Sequence, residues 1–97
     1  MKYYYVVLDV KPSHKNIKHR DLSGAHFCFV VLGEDPVQSE RLARQYSDSR
    51  MWTVISCRTV EDISDRPLSD LSQLQLKLCP KAFDRGIAGS IIAWESS

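Results

Sequence analysis

Apolar and polar positions along the chain separate into runs of period two and one clear run of helical period. Residues 3–10 open with Tyr3-Tyr4-Tyr5-Val6-Val7, a density of aromatic and β-branched side chains that suits a pleated strand. Residues 25–32 put Ala25, Phe27, Phe29 and Val31 on one face and His26, Cys28, Val30 and Leu32 on the other. Only His26 is polar, so this strand is predicted to be covered on both faces and to lie near the middle of a sheet.

Gly33-Glu34-Asp35-Pro36 interrupts the pattern. Asp35 can accept from the free amides of a first helical turn, Pro36 suits the first helical position, and Gln38 completes a capping-box arrangement. A helix over 36–49 follows, with Ser39, Leu42, Ala43 and Tyr46 on its inner side, and Glu40, Arg41, Arg44 and Asp48 outward. Residues 51–60 return as a strand, expected to place Trp52 and Val54 on one face and Met51, Ile55 and Cys57 on the other. Two strands joined by a helix are most often parallel neighbours linked by a right-handed crossover.

Residues 68–86 carry two patterns at once. Leu71, Leu74 and Leu78 fit a helix, whereas Leu74, Leu76 and Leu78 fit an alternating strand. A helix over 69–78 capped by Asp70 is the preferred reading, followed by a short turn from Pro80 to Gly86, because proline interrupts a continuous helix. The last strand is read over 89–95. The order β-β-α-β-α-β predicts an α+β fold, a small two-layer sandwich with a four-stranded mixed sheet and both helices on one face. That is a variant of the ferredoxin-like arrangement lacking a helix between the first two strands.

Length and composition bound the function. Ninety-seven residues make one domain, 1–97, with little volume left for a deep cavity. Net charge is +1, and both halves are nearly balanced, which argues against a nucleic-acid or anionic-membrane binder. No apolar run reaches the length of a membrane span, and the N-terminal residues lack the layout of a secretory signal. Three cysteines without close pairing read as reduced thiols rather than a disulfide scaffold. A cytoplasmic location is expected.

Candidate chemistry is sparse. His26 and Cys28 share a strand face but stand roughly 6.5–7 Å apart along it, too far for direct thiol activation, and Phe27 and Phe29 flank the thiol. His14, His19 and His26 have no metal-ligand spacing, and no glycine-rich phosphate loop occurs. No metal, cofactor or catalytic residue is assigned. Residues 11–24 form a long polar connection whose basic cluster, Lys15, Lys18, His19 and Arg20 among them, is a candidate contact for a partner. With helices on one face only, the other face would expose aromatic side chains, so Tyr4 and Trp94 join the candidate partner-binding residues.

The chain therefore reads as a non-catalytic protein-interaction module, most concretely a small bacterial immunity-type inhibitor that neutralises a protein partner. A homodimer through the open sheet face is an alternative assembly. The alternative function is a small thiol-dependent enzyme or ligand-binding domain using a cleft near Asp9, His26 and Cys28. A base-stacking RNA contact on the open face ranks last, given the balanced charge.

Overall fold

The computed structural model describes residues 1–94 of the chain. Its elements run β1 (Lys2–Pro12), a short 3-10 turn (Ile17–His19), β2 (Ala25–Gly33), α1 (Pro36–Ser49), β3 (Trp52–Asp62), a second 3-10 turn (Leu68–Asp70), α2 (Gln73–Arg85) and β4 (Ile87–Ala93). This is the predicted β-β-α-β-α-β order in a small α+β fold. Glu95, assigned to the last strand from sequence, lies outside the described residues.

The sheet differs from expectation in two respects. Its spatial order is β3-β1-β2-β4, and every neighbouring pair is antiparallel, so it is not mixed. β2 and β3 do run in the same direction, as a helical crossover requires, but β1 lies between them. The apolar faces explain why: β1 and β2 are both rich in apolar residues and share the centre, while β3 is amphipathic and takes an edge.

The helices also lie on opposite faces, not together. Tyr4, Val6, Leu8 and Val10 of β1 and Phe27, Phe29 and Val31 of β2 form one core with Ala43, Leu42 and Tyr46 of α1. Here Phe27 and Phe29 stack at 4.2 Å, and Tyr46 sits edge-on to both. The alternate residues point the other way, where Val30, Ala88, Ile63, Tyr3 and Tyr5 pack against Leu74, Leu78 and Ala82 of α2. A central strand apolar on both faces needs cover on both, and one helix over each face supplies it.

Local signals set the helix ends. Asp35 caps α1 by accepting from the Gln38 amide at 2.7 Å, and the Gln38 side chain reaches one residue past the cap to accept from the Glu34 amide. α2 begins on Ser72, not Asp70, with a reciprocal Ser72–Gln75 capping box. It continues through Pro80, whose ring lies on the exposed side, where water can take the carbonyl left unpaired at Leu76. Gly86 ends it in the left-handed conformation (φ 84°), as glycine allows without steric cost. No helix among the described residues is long and apolar enough to cross a membrane.

Candidate functional site

Two regions stand out, one polar and one apolar, at different ends of the sheet. The polar one centres on Asp9. Asp9 faces His26 directly across the β1–β2 ladder and Ser56 across the β1–β3 ladder. Its Oδ1 accepts from His26 Nδ1 at 2.8 Å and Arg58 Nε at 3.1 Å, and its Oδ2 accepts from Ser56 Oγ at 3.2 Å. Partial burial alone would raise the carboxyl, but the Arg58, His26 and Ser56 hydrogen bonds outweigh it and hold Asp9 below the ordinary carboxylate value.

A carboxylate can only accept, so the proton on His26 is fixed at Nδ1 and Nε2 is left without this partner. Trp94 Nε1 comes within 3.4 Å of the same Nδ1, whose proton is already committed to Asp9. Ring contact, with centroids 5.9 Å apart, therefore holds Trp94 on His26 better than a hydrogen bond does. Gly24 makes room for that indole, since a Cβ there would fall 2.3 Å from a Trp94 ring carbon.

Arg58 owes its reach to a bulge. The β1–β3 register slips twice, leaving Ile55 and Arg58 as extra residues in β3. The slips also reset the strand's faces: Cys57 joins Trp52, Val54 and Val60 on the α1 side, contrary to the simple alternation expected from sequence.

Cys28 does not join this cluster chemically. It is 3% exposed, and burial pushes its thiol above the usual range. Tyr5 shares its environment and is pushed up to about 12, by burial first and then by its hydrogen bond with Cys28. A thiol held protonated under side-chain cover is a poor nucleophile. Among the described residues no group of three His, Cys, Asp or Glu side chains converges as a metal site.

The apolar region is a groove of about 550 Å³ beside α2, lined by Leu68, Leu71, Leu76, Cys79, Pro80 and Phe83 together with residues near the start of β1. Two stripes of apolar side chains run along α2. Leu74, Leu78 and Ala82 face the sheet, whereas Leu76, Pro80 and Phe83, at i, i+4 and i+7, face the groove. Leu68 is 74% exposed and Phe83 72%, so the outer stripe is an apolar surface rather than core. Arg66, paired with Glu61, and Asp84 supply charge at the rim.

The residues assigned to partner binding from sequence do not gather in one place. Lys15, Lys18 and Arg20 are exposed on the β1–β2 connection. His19 is half-buried with its ring 5.1 Å from Trp52. That connection is pinned: Asn16 Nδ2 and the Ser13 amide both donate to the Met51 carbonyl. Tyr4 is a correction. At 4% exposure it belongs to the α1 core, because even-numbered β1 residues face α1. Trp94 is half-buried on the other face, against His26 and Gly24.

Sequence reasoning missed the groove. The signal was present in the double periodicity of residues 68–86, where the leucines and Phe83 are more than one buried stripe can hold. Comparison with family models, with curated proteins and with solved structures returns no match.

Proposed function

We propose that this protein is a non-catalytic interaction module that docks a protein partner through the α2 groove. The observation that carries this reading is the outer stripe of α2: Leu76, Pro80 and Phe83, joined by Leu68, leave large apolar side chains in water beside a preformed concavity. Exposed apolar surface of that kind marks interaction sites, with aromatic side chains as the usual anchors. A partner presenting one or two apolar side chains would fill the groove, with Arg66 and Asp84 at its polar rim.

Among such modules, a small inhibitor of the bacterial immunity type is the concrete version put forward, in keeping with the buried, protonated Cys28 thiol. The basic residues Lys15, Lys18 and Arg20 lie near the opposite end of β1 and would steer an acidic partner rather than anchor it, changing the on-rate. Affinity capture from the protein's own cells, run in parallel for wild type, Phe83→Asp and Lys15→Glu, tests the assignment. A partner retained by wild type and Lys15→Glu but lost by Phe83→Asp supports the groove. A partner indifferent to Phe83→Asp, or none at all, removes it.

A second reading rests on the Asp9–His26 pair, whose oriented imidazole could exchange a proton through Nε2. In that reading the site belongs to Asp9, His26 and Arg58, and Cys28 takes no part.

A further inference from the structure

The two edges of the sheet are treated very differently by the sequence. β3 carries two bulges and bears Arg58, Glu61 and Asp62, which are ordinary defences against edge-to-edge pairing. β4, Ile87-Ala-Gly-Ser-Ile-Ile-Ala93, has no charge, no proline and no bulge, and its Ile92 is exposed.

The backbone of β4 is half unpaired. The Leu32 amide donates to the Gly86 carbonyl at 2.8 Å and the Trp94 amide to the Gly24 carbonyl at 3.1 Å. These residues stand opposite one another in the β2–β4 register, so hydrogen-bonded pairs fall on Gly86, Ala88, Ser90, Ile92 and Trp94. The amides and carbonyls of Ile87, Gly89, Ile91 and Ala93 therefore point away from the sheet. Among the described residues, no turn, loop or side-chain hydrogen bond takes them.

We infer that β4 pairs antiparallel with β4 of a second copy of this chain, joining two four-stranded sheets into one of eight strands about a two-fold axis at Ser90. In that register the outward-pointing residues meet as hydrogen-bonded pairs, Gly89 with Ile91 and Ile87 with Ala93, each formed twice by symmetry, for about eight backbone hydrogen bonds. The side chains agree with the same register and select the occupant. Every isoleucine falls opposite a small residue of the other copy: Ile87 on Ala93, Ile92 on Ala88, Ile91 on Gly89, with Ser90 facing itself. An arbitrary strand would not reproduce this large-against-small alternation on both faces. The edge shares no residue with the α2 groove, so the dimer leaves that groove free.

Sedimentation velocity from low to high micromolar concentration tests the pairing. Wild type is expected to move from monomer to dimer with concentration. Ser90→Lys places like charges opposite each other on the axis and weakens the dimer about fivefold or more, and Ala93→Pro removes an outward amide from each copy while leaving the β2 ladder intact. Circular dichroism confirms that each variant is folded. In a Cys28→Ala background, which removes the thiol opposite position 90 on β2, Ser90→Cys should cross-link to its symmetry mate under mild oxidation, because non-hydrogen-bonded antiparallel pairs stand at disulfide distance. Peptide mass mapping identifies the 90–90 bridge. A wild type that stays monomeric throughout, a dimer unchanged by both substitutions, or a folded Ser90→Cys protein that forms no such bridge would overturn the inference.

Discussion

Replacing Asp9 by asparagine keeps the shape of the side chain and removes only its charge. The carboxylate receives His26 Nδ1 at 2.8 Å, Arg58 Nε at 3.1 Å and Ser56 Oγ at 3.2 Å. The amide oxygen of asparagine can keep the Oδ1 position, facing His26 and Arg58, while its nitrogen turns to Ser56, whose hydroxyl can rotate to accept. Two charge-assisted hydrogen bonds thus become neutral-acceptor ones, a difference of about 1 kcal/mol each. The Arg58 side chain is largely exposed, so its share is smaller, and the expected loss at pH 7 is about 1–2 kcal/mol.

The pH dependence has a definite sign. Asp9 is held below its unfolded value, so its contribution is complete above the ordinary aspartate range and disappears as pH falls through the lower folded value. Urea unfolding followed by the fluorescence of Trp52 and Trp94 should separate the two proteins at pH 7 and pH 5 and narrow the gap progressively as the pH falls below the ordinary aspartate range and the wild-type carboxyl takes up its proton. Equal stabilities at pH 7, or a gap that persists undiminished in acid, would refute the description of Asp9 as a charged hub.

Gly24→Ala drives a methyl group into the Trp94 ring and should displace it from His26, altering Trp94 emission and costing about 1–3 kcal/mol in urea unfolding; an unchanged spectrum would contradict the packing. Pro80→Ala returns a backbone donor to the middle of α2 and should stabilise the fold by about 1–2 kcal/mol, after allowance for the looser unfolded chain; destabilisation would mean that the ring is needed for packing. Burial raises all three thiols, so labelling of the folded protein at neutral pH should be slow and accelerate with pH, slowest at Cys28. Labelling of Cys28 as fast as a free thiol would restore the thiol-enzyme reading.

Much of the fold was legible because its signals are local. The limits of α1 follow from Asp35, Pro36 and a single apolar stripe, and the centrality of β2 follows from its lack of polar positions. What was not legible depended on pairing. Nothing in residues 52–62 announces that Ile55 and Arg58 are bulged; only the ladder with β1 reveals it, and one bulge moves Cys57 to the other face. The placement of α2 was hidden for a related reason. Its inner stripe is no more apolar than its outer one, so periodicity alone could not show that it would cover the second face of the sheet. Tyr4 was misassigned as a consequence, since an open face was expected where α2 and α1 each take one side. The polar site was half visible: Asp9 and His26 were both noted, but their juxtaposition needs the β1–β2 register, and Arg58 needs the bulge.

The central claim is that α2 carries one stripe for its own core and another for a partner, and paired unfolding and binding measurements address it most directly. Leu78→Ala, at a side chain only 2% exposed, should lose about 2–5 kcal/mol. The double variant Leu68→Ala/Phe83→Ala, at two side chains more than 70% exposed, should stay within about 1 kcal/mol of wild type while losing partner capture. A double variant as unstable as Leu78→Ala would make the outer stripe part of the core, and a stable one that still holds the partner would leave the groove without a role.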